Sequence, residues 1–299
     1  MDATLRLPDG RTLAYTISGD AGGFPLLFFH GAYGSRRERH PDDGIASASR
    51  VRLVTLDRPG YGASTFAPRR RLLDWPGDVA LLAETLGLAR FAVAGWSGGS
   101  AYALACAHAL PERVTQALVS GTVVPFDEPG ATEGWPLATR VLFALARRAP
   151  PLARAWLARS YRRRTRDLDG FGREVEASMA PCDVALAREP AVQRMLAESR
   201  ADAFRQGVDG VVQGHVINAR AWGFDPSGIR VPVHVWHGSD DRNTPIAFAR
   251  RLARRVPGAR LRELPGEGHL LLLAHWREML DALAAGECGA RPRADPVAG

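Results

Sequence analysis

The chain opens with two short segments, ATLRL and RTLAYTI, in which apolar and polar residues alternate on either side of Pro8-Asp9-Gly10. A period of two with a turn sequence between the halves predicts a β-hairpin. The pattern then changes. Apolar runs at Leu26–Phe29, Val51–Leu56, Phe91–Ala94 and Ala117–Val119 alternate with segments of helical spacing such as Trp75–Leu86 and Ser100–Leu110, and strands alternating with helices predict a parallel sheet. After Gly121 the alternation stops, to resume at Val231–Trp236; apolar residues in the interval are spaced as in helices. A helix at Ile246–Arg255, a strand at Arg260–Leu264 and a helix after His269, running through Trp276 towards Leu283, complete the pattern. The expected organisation is an α/β core formed by residues 1–122 and 230–285, interrupted by a helical cap at 123–229. The tail, 286–299, reads as disordered.

Composition narrows this picture only a little. With 299 residues, 46% apolar and 24% charged, the chain has the make-up of one large globular unit. No positively charged start followed by an apolar core appears at the beginning, which leads to the expectation of a cytoplasmic protein. LLFF, ALACA and LLLLA are too short to cross a membrane. Cys106, Cys182 and Cys288 are scattered, so neither a disulfide framework nor a zinc site is expected.

The net charge of +7 comes from arginine alone, since the chain contains no lysine. No nucleic-acid-binding motif accompanies it. The arginines are densest between Arg140 and Arg166, where Leu145, Leu152, Trp156 and Leu157 are interleaved with them and Pro150-Pro151 breaks the run. Amphipathic helices with a solvated basic face fit that pattern, and so does a landing patch for an anionic substrate or carrier.

The strongest chemical signal is Gly95-Trp96-Ser97-Gly98-Gly99, placed between the apolar run Phe91–Ala94 and the helix near Ser100. In that context G-x-S-x-G forms a nucleophile elbow, a sharp strand-to-helix turn in which glycines on either side of the serine allow close approach. A serine hydroxyl needs a base to take its proton and an acid to orient that base. Asp240 and Asp241 follow a strand in WHGSDDRNTP, and His269 follows the next strand in LPGEGH. One of the two aspartates is the expected acid and His269 the expected base. The amide of Gly98 and that of Ala32, in the turn His30-Gly31-Ala32-Tyr33-Gly34, are the expected oxyanion donors.

Taken together, the His30-Gly31 turn, the segment Asp57-Arg-Pro-Gly-Tyr-Gly-Ala-Ser64, the elbow at Ser97, HGxxD at His237–Asp241 and GxGH at Gly266–His269 resemble the α/β-hydrolase superfamily. The resemblance implies the α/β-hydrolase fold with an inserted helical cap, selects Asp241 over Asp240 as the acid, and agrees with Ala32 as the second oxyanion donor. It gives Asp57–Ser64 a structural part. Tyr33 stands where many relatives carry proline, and Trp96 precedes the serine where the proline-iminopeptidase branch places a tryptophan after it. An elbow serine also argues against the epoxide- and haloalkane-hydrolysing branches, and the resemblance implies no metal and no organic cofactor.

The expected activity is hydrolysis of a carboxylic ester, lactone or thioester through an acyl-enzyme on Ser97. Carbon–carbon bond hydrolysis next to a ketone is the alternative enzyme reading, and a non-catalytic ligand-binding protein the alternative of a different class. The expected partner is a small-molecule substrate, an acyl thioester or other anionic compound included; no nucleic acid or membrane is expected, and no motif fixes the oligomeric state. Tyr33, Trp96, Trp135 and Trp222 are the expected substrate contacts, with Phe143, Trp156, Phe171, Met179, Phe204 and Phe224 as further candidate walls.

Overall fold

The computed structural model describes residues 1–126, 131–133, 135 and 137–290. Eight strands form one sheet: β1 (Asp2–Arg6), β2 (Thr12–Gly19), β3 (Phe24–Phe29), β4 (Val51–Leu56), β5 (Phe91–Trp96), β6 (Val114–Ser120), β7 (Val233–Gly238) and β8 (Arg260–Leu264). Their spatial order is β1-β2-β4-β3-β5-β6-β7-β8. The first two strands form the antiparallel hairpin, β2 pairs antiparallel with β4, and every later pairing is parallel. Parallel strands are covered on both faces, which is why their sequences are nearly continuous apolar runs. Along β3, Leu27 and Phe29 enter one core and Leu26 and Phe28 the other, as the alternation of a strand requires.

Helices α1 (Asp43–Ala48), α2 (Trp75–Thr85) and α3 (Ser100–Ala109) belong to the first half of the fold. Six helices then intervene between β6 and β7 among the described residues: α4 (Leu137–Arg148), α5 (Pro150–Arg164), α6 (Leu168–Ala177), α7 (Pro181–Ala187), α8 (Pro190–Ala203) and α9 (Asp209–Ala219). Helices α10 (Ile246–Arg255), α11 (Leu271–Ala274) and α12 (Trp276–Ala290) complete the described residues. Pro150 and Pro151 lie at the start of α5, where a missing N–H costs nothing, so α4 and α5 are separate helices.

Three local differences from the sequence pattern have physical causes. The last helix is broken at His275, whose backbone leaves the helical region while its ring bonds Glu267 and Glu278. Helical structure extends through Ala290, into the segment read as a disordered tail; the rest of that segment, 291–299, lies outside the described residues. The inserted helices end at Ala219, and the chain beyond returns to the core, burying Trp222 and stacking Phe224 on His108 of α3 at 4.6 Å.

The insertion is fastened to the core at two further points. Arg36 bridges Asp57 of the core (2.7 Å) and Asp202 of α8 (2.9 Å) in a buried ion cluster. At the second, backbone meets backbone: Gly60, with φ +84°, lies so close to α9 that a Cβ on Gly210 would overlap the Gly60 carbonyl. Replacing Gly210 by alanine must push α9 away. The expected cost is about 1–3 kcal/mol, read as a lowered urea midpoint with an unchanged slope.

Candidate active site

The sheet delivers its loops to one edge, and Ser97 stands there between β5 and α3. Its φ is +54°, a left-handed conformation that costs a non-glycine residue about 1–3 kcal/mol and persists only where the surroundings impose it. They do so through two close contacts. A Cβ on Gly95 would lie 2.8 Å from Ser100 Cα, and one on Gly99 would overlap the Phe29 carbonyl. The Ser100 hydroxyl closes the turn by donating to the Ser97 carbonyl at 2.6 Å, and Asn218 of α9 donates to the Gly98 carbonyl at 3.1 Å.

His269 follows β8, and its Nδ1 lies 2.8 Å from Oδ2 of Asp241, which follows β7. Asp241 is buried and held on all sides: the amides of Asn243 and Thr244 donate to Oδ1, and the Thr244 hydroxyl to Oδ2, each at 2.8 Å. Burial opposes its ionisation, but His269 and these donors outweigh that and bring its pKa down to about 2. The same pairing works in reverse on His269, where burial favours the neutral ring but the Asp241 carboxylate raises the pKa above its ordinary value. Asp240 points outward and accepts from the Ser239 hydroxyl.

His237 backs this pair. Its Nδ1 accepts from the Thr122 amide, so Nε2 carries the proton and donates to the Thr244 carbonyl at 2.7 Å; burial keeps the ring neutral. Room for the His269 ring comes from Gly121, at φ +54°, where a Cβ would lie 2.9 Å from the imidazole.

The backbone of His269 is clamped as firmly as its ring. Asp183, buried on α7, accepts from the amides of His269 (2.8 Å) and Leu270 (2.7 Å), and the Trp96 indole donates to the His269 carbonyl at 2.9 Å. Gly268 leaves space for the Asp183 carboxylate, which a side chain there would overlap. Nothing in the spacing of the sequence singles out Asp183, because it belongs to the insertion and meets His269 only in three dimensions.

Across the site, the turn after β3 is fixed from both sides. The Gly31 amide donates to Glu38, while its carbonyl accepts from Arg58 at 2.6 Å and from His30 at 2.9 Å. Arg58 is itself buried, over the rings of Tyr61 and Tyr102. The Asp57–Ser64 segment thus positions the turn. Neither the Ala32 amide nor the Gly98 amide has an acceptor among the described residues. A Cβ on Gly98 would lie 3.6 Å from the Ala32 nitrogen, so the two donors flank a common space.

Ser97, Ala32, Gly98 and His269 line one cavity of about 520 Å³. Tyr33, Trp96 and Trp135 also line it, as do Phe143, Phe171 and Met179. Trp222 does not: it is 2% exposed within the main core, beside Phe224, because the chain has already left the insertion there. Phe204 packs inside the insertion and Trp156 faces outward, half exposed. Polar lining residues not anticipated from the sequence include Glu38, Arg200 and His215. Burial holds the His215 ring neutral, with a pKa down to about 4, and it bonds the Tyr161 hydroxyl at 2.8 Å. Among the described residues no cluster of three or more His, Cys, Asp or Glu side chains has the geometry to hold a metal ion.

Burial pushes the Glu38 carboxyl up to about 7, against the pull of the Gly31 amide and of Arg58. An acid with a raised native pKa binds more protons folded than unfolded, so its contribution to stability falls as pH rises from its unfolded value of 4.5 to about 7. In Glu38→Gln this loss disappears. The variant is expected to gain up to about 3 kcal/mol relative to wild type between pH 5 and pH 8, measured by urea unfolding at each pH.

Residues 26–282 match the model of the Alpha/beta hydrolase family. The chain is 29% identical over 259 residues to BpoC of Mycobacterium tuberculosis, which carries the name of a non-heme bromoperoxidase; the match covers 86% of this chain and 90% of that protein. It is 27% identical over 291 residues to a proline iminopeptidase of Xylella fastidiosa, covering 89% of each. Among solved structures, the enol-lactonase of Burkholderia xenovorans superposes with a TM-score of 0.68 at 20% identity, over 96% of this chain and 100% of that one. A match to the family model along nearly the whole of the core and insertion, on the fold and site geometry described above, places this chain in the alpha/beta hydrolase family.

Proposed function

We propose that Ser97, His269 and Asp241 form the triad of a serine hydrolase that cleaves a carboxylic ester, lactone or thioester through an acyl-enzyme. One observation carries this reading: a strained serine, a histidine whose Nδ1 is committed to a buried carboxylate, and two unpartnered amides line the same cavity. With Nδ1–H donated to Asp241, the Nε2 of His269 is free to accept a proton. The Ser97 oxygen attacks the carbonyl carbon as its proton passes to Nε2, and the oxyanion accepts from Gly98 and Ala32. His269 then protonates the leaving group, which departs, or in a lactone stays tethered to the acyl chain. Water, deprotonated by His269, releases the acid and restores Ser97.

The inserted helices serve as the cap. Trp135, Phe171 and Met179 of the insertion, with Tyr33 and Trp96 of the core, form the contact surface for substrate. The lactone option is in keeping with the enol-lactonase likeness. The order Trp96-Ser97 separates the elbow from the pattern of the iminopeptidase branch.

Intact-mass analysis after treatment with a fluorophosphonate is expected to show one adduct on the wild type and none on Ser97→Ala. Hydrolysis of p-nitrophenyl acetate by that variant should fall by about a thousandfold or more. No adduct and no turnover in the wild type would overturn the proposal.

The charge on His269 supplies an independent check. Because its pKa is raised above 6.5 by Asp241, kcat/KM should decline as pH falls through a value above 6.5. Asp241→Asn removes the charge that raises it and leaves burial, which lowers it, so the acid limb should move to lower pH while the plateau drops by about three to four orders of magnitude. An unmoved limb would show that another group is titrating.

A further inference from the structure

A second concavity, about 710 Å³, opens on the outer side of the insertion and is lined by Trp156, Arg159, Arg162, Arg163 and Arg166. Its size is that of a small-molecule site. Arg164 and Glu174 line both this groove and the cavity of Ser97, and their ion pair at 2.9 Å stands between the two spaces. The groove therefore adjoins the candidate active site, with that ion pair as the wall between them.

Positive charge lines both sides of that wall. Arg200 lines the inner cavity, and its Nε is buried without a hydrogen-bond partner. Its guanidinium lies 5.8 Å from the centre of the Phe171 ring, and that of Arg164 lies 5.3 Å from the same centre. Beyond Arg164, Arg159, Arg162 and Arg163 are spaced i, i+3 and i+4 on α5, so their like charges share a face. None of them, nor Arg166, has a carboxylate within 4 Å among the described residues, whereas Arg164, between the two spaces, is paired with Glu174. Mutually repelling, unpaired guanidinium groups around a concavity suit a ligand with several negative charges, and guanidinium binds phosphate in a bidentate fashion. Trp156, 53% exposed at the rim, offers a flat apolar surface to a planar ring.

We propose that the groove binds the phosphorylated half of an acyl thioester whose thiol arm ends in a nucleoside polyphosphate. This rests on the serine-hydrolase reading and names its substrate class. The acyl carbonyl lies at Ser97, the thiol arm passes Arg164 and Glu174, the phosphates meet the arginines, and the base lies on Trp156. The Ser97 oxygen forms the acyl bond as the carbon–sulfur bond breaks, the departing sulfur takes the proton held by His269, and water then frees the carboxylic acid.

The test compares acetyl-coenzyme A with S-acetylpantetheine, the same acyl thioester and thiol arm without the phosphates and nucleoside, on wild type and on Arg159→Glu/Arg163→Glu, two residues that line only the outer groove. The wild type is expected to favour the phosphorylated thioester in kcat/KM by about tenfold or more, and the variant to lose that preference while hydrolysing the short thioester within about twofold of wild type. Equal kcat/KM for the two thioesters, or a variant that slows both alike, overturns the proposal. Calorimetric titration of coenzyme A into Ser97→Ala, with and without the two charge reversals, reads the groove without any turnover. Binding lost on charge reversal supports the site even if the hydrolase reading fails, and binding absent or unchanged overturns it. Sedimentation with phosphatidylglycerol vesicles in the absence of coenzyme A binding would overturn it in favour of a lipid surface.

Discussion

The structure depends on one close approach, that of α3 to the carboxyl ends of β3 and β5. Gly95 and Gly99 have no side chains because the Gly99 and Phe29 carbonyls occupy the space a Cβ would need. That contact forces Ser97 into a left-handed turn and raises it above the sheet edge, where the loops after β3, β6, β7 and β8 converge. Remove the contact and the serine becomes one more loop residue. The strain is sustained by the packing of α3, whose buried Ala101, Ala103, Ala105 and Ala107 let the helix lie close to the sheet.

Around that fixed point the remaining groups are placed by hydrogen bonds from several parts of the chain. Asp241 is surrounded by donors from its own loop, so its charge is stabilised where burial would otherwise suppress it. The Gly31 peptide is held by Glu38 on one side and Arg58 on the other, which leaves the following amide, that of Ala32, free. Amides turned into a cavity without a protein acceptor are costly, and two of them beside a strained serine support the oxyanion role proposed for Ala32 and Gly98.

Much of this was legible in the sequence, for identifiable reasons. The parallel strands announce themselves because burial on both faces demands apolar runs, and the elbow because its glycines are dictated by sterics within five consecutive residues. The pairing of Asp241 with His269 needed the family resemblance, since two adjacent aspartates follow the same strand. What was not legible depends on contacts between distant segments. Asp183 and Arg200 stand in no motif and meet the site only when the insertion closes over the core, while Glu38 is the local exception, reaching the Gly31 amide within the core loop after β3. Trp222 was misplaced because composition cannot show where a helical insertion ends and the return to the core begins. The break at His275 was hidden by apolar spacing that continues undisturbed across it.

The Asp183 contact has a bearing on how such a protein can be re-engineered. Helix α7 belongs to the insertion, yet it supplies the acceptor for two consecutive amides of the loop that carries His269. The insertion is consequently not an interchangeable module. A chimera that received a foreign set of helices with no carboxylate at this point would keep the core, the elbow and the histidine itself, but would leave two buried amides without an acceptor and the imidazole without its frame. Recombination between relatives of this chain should therefore treat α7 and the GxGH loop as one inherited unit, whatever is exchanged around them.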